Sequence, residues 1–217
     1  ESSNADGADG AAKKAEPSKA RASNDAARDD APGHAAAKAL ELAKGVKTPI
    51  VRAVAKVLGS KDRRRAGLDV VMESSAPGRF APIAEAIAAM ASDTAEDDRS
   101  IAVLALARVG GVAKVKPFLT DPAIGHAAAY AIATSPGDEA RAALASMLGS
   151  SKPGAERRMV VRAAPARAIV TGDEVPGLDQ ALAAMASSRD PSDVDTAAFG
   201  RVALGASIAD VLGKSPK

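Results

Sequence analysis

Alanine-rich stretches with helical periodicity recur five times along this chain, each followed by a turn and a second such stretch. In each of the five pairs, the second stretch begins with a short polar or charged segment. These five segments are Lys61-Asp62-Arg63, Asp97-Asp98-Arg99, Asp121-Pro122-Ala123, Ala155-Glu156-Arg157 and Ser192-Asp193-Val194. Helix pairs that recur every 25 to 40 residues, roughly, are typical of an α-solenoid, in which each pair buries its apolar face against the next. The sequence therefore predicts an all-α fold of about five stacked helix pairs.

The composition favours helix and limits the chemistry of the chain. About a quarter of the residues are alanine, which has the highest helix propensity, and aromatic residues make up only 2%. The core must therefore be built from Leu, Ile, Val, Met and Ala, with backbones packed closely. The absence of cysteine excludes disulfides, thiolate metal sites and thiol catalysis. No apolar run of the sequence reaches the length of a transmembrane helix.

Residues 1–32 differ from the rest because they contain no Leu, Ile, Val, Phe or Met. Such a segment cannot bury enough apolar area to offset the entropy lost on ordering it. We therefore expect residues 1–32 to form a low-complexity tail or tether, disordered or extended. Residues 33–217 then form the helical repeat domain.

The first residues also bear on the compartment. The chain begins at Glu1 without methionine, as an exported protein would after removal of its signal segment. The polar lead over residues 1–7 resembles the tether that follows the lipid-bearing cysteine of bacterial lipoproteins. That resemblance implies an exported protein, periplasmic or anchored by an N-terminal lipid. The alternative is a cytoplasmic protein.

Periodicity and punctuation give the bounds of the second helices. They are predicted at about residues 62–74, 97–109, 122–134, 155–171 and 192–212. Asp121-Pro122 is typical of an N-cap followed by proline at the first helical position. Gly110-Gly111 should break the chain before a short helix at about residues 112–119. Pro165 lies inside the fourth second helix and should kink it, because proline removes a backbone hydrogen bond.

One of these second helices carries a resemblance to a known repeat. Asp98-Arg99 is followed by an apolar helical run over residues 101–110, and residues 122–133 and 156–169 are looser copies. The pattern is similar to the HEAT and armadillo-like repeat family over about residues 48–213. The resemblance implies a right-handed superhelix in which the second helices line a concave face that holds a partner.

Residue types that carry chemistry are sparse. His34 and His126 are the only histidines, whereas a metal site needs several convergent ligands. Gly110-Gly111 follows no predicted strand and lacks the lysine ending of a phosphate-binding loop. Acidic clusters such as Glu96-Asp97-Asp98 lie at helix starts, where negative charge complements the helix dipole. The sequence therefore predicts no catalytic residue, no bound cofactor and no metal ligand.

Arginines are concentrated on the predicted second helices. They are Arg63, Arg64, Arg65, Arg99, Arg108, Arg157, Arg158, Arg162, Arg167 and Arg201. Arginine is enriched at binding hot spots because its planar fork binds carboxylates, so these side chains could hold an acidic partner. The family resemblance implies an alternative, in which such an arginine pairs with an aspartate of a neighbouring repeat. The runs that contain Arg64, Arg65, Arg158 and Arg162 hold more arginines than one ion pair per repeat needs. These four are therefore the candidate partner-binding residues.

Together these features favour a non-enzymatic protein–protein interaction module, an accessory or scaffold subunit of a larger bacterial assembly, in the cell envelope if the protein is exported. The partner would be another protein of acidic character. A first alternative is an enzyme similar to the chromophore lyases built on HEAT-like repeats, which the low aromatic content disfavours. A second is a nucleic-acid-binding solenoid, which the net charge of +2 disfavours.

Overall fold

The computed structural model describes residues 34–93, 97–149 and 154–212, and every regular element within these ranges is helical. The predicted all-α class is therefore confirmed for this part of the chain, whereas the predicted tail over residues 1–32 lies outside it. In chain order the α-helices are α1 (His34–Gly45), α2 (Pro49–Leu58), α3 (Arg64–Glu73), α4 (Ala84–Ser92), α5 (Arg99–Val115), α6 (Gly125–Thr134), α7 (Asp138–Leu148), α8 (Ala155–Thr171), α9 (Leu178–Ala186), α10 (Pro191–Ala203) and α11 (Ile208–Leu212). Shorter 3-10 segments lie at Lys61–Arg63, Pro77–Ile83 and Lys116–Thr120.

The helices pack in sequential pairs. α2 packs on α3, α4 on α5, the Lys116–Thr120 segment on α6, α7 on α8, and α9 on α10. The second members of these pairs also contact one another in order, since α3 packs on α5, α5 on α6, α6 on α8, and α8 on α10. We call these five helices the second-helix row. α1 lies outside the pairs and packs on both α2 and α4.

Alanines and aliphatic side chains form one continuous core between the helices. The bulkiest apolar side chains with almost no exposure include Phe80, Leu58, Leu68, Ile83, Leu106, Ile132 and Leu144. The helices approach closely where residues are small. A Cβ atom on Gly125 would lie 2.7 Å from the carbonyl oxygen of Leu119 and 2.9 Å from the sulfur of Met159. Glycine is therefore required at the first residue of α6 unless the backbone of its neighbour shifts.

Two predicted boundaries are wrong. α6 begins at Gly125 and not at Pro122, because the Asp121 carboxylate accepts a hydrogen bond from the backbone N–H of Ala123 (2.8 Å) and closes a turn ahead of the helix. The last predicted helix, residues 192–212, is two helices. α10 ends at Ala203, and Gly205 with a φ of 94° redirects the chain before α11.

The predicted break at Gly110-Gly111 is confirmed, because α5 consists of two helical stretches joined at Gly111. Gly111 alone leaves helical values, with φ 73° and ψ −178°, a conformation open essentially to glycine. The short helix predicted at residues 112–119 is the end of α5 followed by the 3-10 segment. In α8 the buried Pro165 lies within a single helix that continues to Thr171.

Several bulky side chains of the helices are exposed. Leu40, Ile50 and Val70 expose 41–47% of their surface, and Arg108 is also exposed. The reason is the abundance of alanine: in α1, for example, Ala35, Ala36, Ala39 and Ala43 fill the buried stripe. When small residues occur on every side of a helix, more than one rotation about its axis satisfies the apolar periodicity.

Candidate interaction surface

Arginine–aspartate pairs join successive members of the second-helix row near their N-terminal ends. Arg65 Nη1 of α3 lies 3.4 Å from Asp98 Oδ1, directly ahead of α5. Arg99 of α5 pairs with Asp121, in the turn ahead of α6. Arg158 Nη1 of α8 lies 2.9 Å from Asp193 Oδ1 and 3.1 Å from Asp190 Oδ2, at the start of α10. We call the ion pairs made by these three arginines the arginine rungs.

Contacts in the rungs lower the pKa of Asp193 and Asp121. The hydrogen bond from Arg158 is the main cause that holds the pKa of Asp193 below its usual value, and the Ser188 hydroxyl adds to it. The pKa of Asp121 is also lowered, first by the backbone N–H of Ala123 and then by Arg99. The pKa of Arg158 is raised, first by its hydrogen bond to Asp193 and also by Asp190. Asp121 and Asp193 are therefore held in their charged form, as a structural ion pair requires.

The structure places the four predicted partner-binding arginines in different surroundings. Arg64 is buried and its Nε donates a hydrogen bond to the carbonyl oxygen of Leu58 at 3.2 Å. Arg65 and Arg158 belong to the rungs. Arg162 is exposed and makes no hydrogen bond or ion pair with the described residues. The four do not form one cluster, because α5 and α6 lie between α3 and α8 in the second-helix row.

Arg167 is the most deeply buried charged residue of the described chain, with 0% exposure. Its Nη1 donates to the carbonyl oxygen of Ser135 at 2.7 Å. Its Nη2 donates to the carbonyl oxygen of Gly137 at 3.0 Å and to Asp173 Oδ2 at 2.7 Å. Arg167 therefore ties the turn between α6 and α7 to the segment after α8.

The C-terminal ends of the same helices enclose a cavity of about 540 Å³. Its apolar wall includes Met72 of α3, Leu104 and Val112 of α5, Tyr130 of α6 and Val170 of α8. Arg108 and Glu139 also line it. We call this cavity with its lining the C-terminal groove. The second-helix row thus has ion-paired N-terminal ends and a largely apolar surface at its C-terminal ends.

The helices that line the cavity also carry exposed apolar side chains. Outside the cavity lining, Val70 of α3 exposes 43% of its surface and Ile169 of α8 exposes 71%. Tyr130 and Val170, in the wall itself, expose 46% and 56%. Large apolar patches on a protein surface commonly mark interaction sites. Sequence reasoning missed this surface because it assigned apolar residues of second helices to the core, although α8 ends in Ile169 and Val170, outside its core stripe.

Three polar side chains of the groove have hydrogen-bond donors or acceptors without a partner among the described residues. Arg108 Nη2 donates to the carbonyl oxygen of Ser74 at 2.9 Å, which occupies one of five N–H donors. The Glu139 carboxylate and the Tyr130 hydroxyl make no hydrogen bond with any described residue, although both line the groove. The groove can therefore offer a cation, an anion and a hydroxyl to whatever enters it.

Potential metal-ligating side chains are dispersed within the described ranges. Within residues 34–93, 97–149 and 154–212, no three His, Asp or Glu side chains are grouped so that they could hold a metal ion. His126 is exposed near the start of α6. The Gly172–Gln180 segment and Arg141 border a second, more polar cavity of about 630 Å³, whose acidic side chains do not form such a group.

Comparison of the chain with protein-family models, curated proteins and solved structures finds no match. The resemblance to HEAT repeats therefore remains an inference from the residues that carry it. Among the helices of the described ranges, none combines the length and the apolar character needed to cross a membrane.

Proposed function

We propose that the helix pairs form a right-handed, HEAT-like α-solenoid of about five units. The sequential pairs and the continuous second-helix row support this arrangement. The arginine rungs support it further, because each joins one second helix to the start of the next. That is the pairing expected when equivalent positions of successive repeats are stacked.

The function proposed on this architecture is non-enzymatic protein–protein binding, as an accessory or scaffold subunit of a bacterial assembly. One observation carries the proposal: the C-terminal groove and the exposed apolar side chains around it form a surface that crosses α3, α5, α6 and α8. A protein surface of this kind gains free energy when a partner removes it from water. Arg108 and the unpaired Arg162 can contact acidic residues of that partner.

The arginine rungs weigh against the nucleic-acid alternative. Nucleic-acid affinity comes mostly from Lys and Arg side chains that neutralise phosphates. Arg65, Arg99 and Arg158 already face aspartates. The groove itself carries one cation and one anion, Arg108 and Glu139, which is a poor match to a polyanion.

The test is capture of the partner from the native source with the full-length protein and two single variants. Tyr130→Arg adds a charge to the groove at a half-exposed side chain, so the fold should tolerate it. Ile50→Arg is the matched control, because Ile50 exposes 47% on α2, outside the second-helix row. We expect the wild type and Ile50→Arg to retain the same partner and Tyr130→Arg to lose it. Equal capture by all three proteins would contradict the proposal.

We also propose that the protein is exported and held in the envelope by an N-terminal lipid. The support is the sequence of residues 1–7, whose polar composition is similar to a lipoprotein tether. Mass spectrometry of the N-terminal peptide from membrane and soluble fractions tests this directly. A lipid-modified cysteine ahead of Glu1 would support the anchor, and an unmodified cytoplasmic peptide would contradict it.

A further inference from the structure

The charge of this chain is distributed unevenly along its length. Residues 34–64 contain eight Lys and Arg residues against two acidic residues, Glu41 and Asp62. Residues 65–217 contain 16 Lys and Arg against 18 Asp and Glu, and residues 1–33 contain five against seven. The positive excess of the chain therefore comes from the part that forms α1, α2 and the 3-10 segment after α2. Cations concentrated in one part of a protein attract anionic partners.

Five of these cations are exposed and have no ionic partner in the described part of the chain. We call them the basic patch: Lys44, Lys47, Arg52, Lys56 and Arg63. No Asp or Glu of the described residues forms an ion pair with any of the five. The arginine rungs differ, because their arginines are joined to aspartates of the next helix. Charges that no neighbour neutralises leave the patch able to attract an external anion.

Contacts between α1 and α2 bring the patch together. Arg52 Nε of α2 donates a hydrogen bond to the carbonyl oxygen of Val46 at 2.8 Å, so Arg52 lies against the loop that carries Lys47. Lys44, in the last turn of α1, directly precedes the same loop. Lys56 follows Arg52 by one helical turn, and both are exposed, away from the buried stripe of α2. The patch is therefore a surface of the folded protein as well as a run in its sequence.

Two exposed aliphatic side chains accompany the cations. Ile50, in the first turn of α2, exposes 47% of its surface, and Leu40 of α1 exposes 41%. Leu40 reaches the backbone directly after α2, since a Cβ atom on Gly59 would lie 2.6 Å from Leu40 Cγ. Arg63 follows four residues later. This combination suits the interface of an anionic bilayer, where Lys and Arg meet lipid phosphates and apolar side chains enter the headgroup boundary.

The composition of the patch favours lipid over nucleic acid. Nucleic-acid binding without sequence preference combines cations with aromatic side chains on which bases stack. Residues 34–64 contain no Phe, Tyr or Trp. Ile50 and Leu40 would gain nothing from a phosphate backbone, whereas a bilayer interface would remove them from water.

We infer that the basic patch, together with Ile50 and Leu40, binds the surface of a membrane that contains anionic phospholipid. The inference goes beyond the proposed protein binding and does not depend on it, because α1 and α2 are outside the second-helix row. It does not rest on the proposed N-terminal lipid either. The two attachments would act together, because a lipid chain and a basic patch hold a protein to a membrane more tightly than either does alone.

The first experiment measures co-sedimentation of the full-length protein, prepared without a lipid, with vesicles. Phosphatidylcholine vesicles are compared with vesicles in which about a third of the lipid is phosphatidylglycerol, since only the second kind is anionic. We expect binding to the anionic vesicles alone. The binding should weaken when NaCl is raised from about 0.1 M to about 0.5 M, because salt screens exposed charges. No binding to the anionic vesicles at low salt would overturn the inference, whatever covers the patch instead.

A double variant and a matched control locate the binding surface. Lys47→Gln/Lys56→Gln removes two charges from the patch, and each cation near an anionic surface contributes about fivefold in affinity, so we expect a loss of about 25-fold. Lys116→Gln/Arg189→Gln is the control, because it removes the same charge at two exposed side chains outside α1 and α2. Its affinity should change little, since charges farther than about 10 Å from the bilayer are screened at about 0.1 M salt. Equal losses in the two double variants would contradict the inference.

Ile50→Ser separates a bilayer from other anionic partners, because it removes apolar bulk and leaves every charge in place. We expect vesicle binding to weaken by about fivefold as apolar area no longer enters the headgroup boundary. Unchanged vesicle binding would refute the part assigned to Ile50. Labelled single-stranded and duplex oligonucleotides are measured with the same proteins by fluorescence polarisation. Oligonucleotide binding that is tighter than vesicle binding and is lost in Lys47→Gln/Lys56→Gln would assign the patch to nucleic acid and overturn the inference.

Discussion

Arg64 and Arg65 are adjacent in the sequence, yet they do different work. Arg64 is 6% exposed and bonds the backbone at Leu58, whereas Arg65 lies on the surface and pairs with Asp69 and Asp98. Arg158 and Arg162 differ in the same way, since only Arg158 has ionic partners among the described residues. The sequence located the arginines on second helices correctly. It could not separate these roles, because neighbouring residues of a helix project about 100° apart around its axis. A small difference in the rotation of the helix therefore decides which arginine is buried.

The ion pair between Asp193 and Arg158 should make the stability of the protein depend on pH. Its pKa is held below the usual value, first by the Arg158 hydrogen bond, so the ion pair stabilises the fold above the ordinary aspartate pKa of about 4. That contribution is lost as the pH falls through the lowered value. We expect Asp193→Asn to reduce the fall in urea midpoint between pH 5 and pH 2, roughly the acid range of carboxylate titration. Asp138→Asn is the control, because the Asp138 side chain is 97% exposed and its removal should leave the wild-type slope.

The rotation of α5 about its axis can be tested at two leucines. Leu106 is fully buried, whereas Leu104 is partly buried and lines the C-terminal groove. We expect Leu106→Ala to lower the free energy of unfolding by about 2–5 kcal/mol, since it leaves a cavity in the core. Leu104→Ala should cost clearly less, because part of its side chain already contacts water. Urea unfolding of the two variants measures the difference, and equal costs would contradict the observed rotation of α5.

At the scale of helices, the sequence predicted more than it did at the scale of residues. α8 has the predicted bounds, residues 155–171, because glycine and charged residues mark its ends. Errors arose where a local turn competed with the helix, as at Asp121 ahead of α6 and at Gly205 after α10. The groove was not predicted because it is a property of four helices together. Only their packing shows which apolar side chains remain uncovered.

Gly111 offers a test of the kink in α5. Its φ of 73° and ψ of −178° are strained for any residue with a Cβ atom. No atom lies within 4 Å of a Cβ built there, so a substitution meets no steric clash. We expect Gly111→Ala to destabilise the protein by about 1–3 kcal/mol through backbone strain alone. Gly45→Ala is the control, because its Cβ is equally unobstructed and its φ is not positive. A Gly111→Ala protein as stable as the control would show that α5 can straighten without cost.

The whole molecule has two chemically different edges along one row of helices. Near the N-terminal ends, charged side chains are used to join neighbours through the arginine rungs. At the C-terminal ends, apolar side chains remain exposed around the groove. Substitutions at the first edge should therefore act on stability, and substitutions at the second should act on binding. This separation lets the solenoid and the binding surface be tested independently.

The proposed solenoid predicts how damage spreads through the described helices. In an array of repeats each unit contacts only its neighbours, so stability is a sum of local and nearest-neighbour terms. Ile132 is fully buried in central α6, and Leu182 is 3% exposed in α9 near the end of the described chain. We expect Ile132→Ala to lower hydrogen-exchange protection in α5 and α8, which contact α6. Leu182→Ala should lower protection in α9 and α10 and leave α2 and α3 unchanged, because their unit is several neighbours away. A domain with a single cooperative core would instead lose protection in every helix by the same amount for both variants. Uniform loss in α2 and α3 after Leu182→Ala would therefore exclude the solenoid while leaving the all-α fold intact.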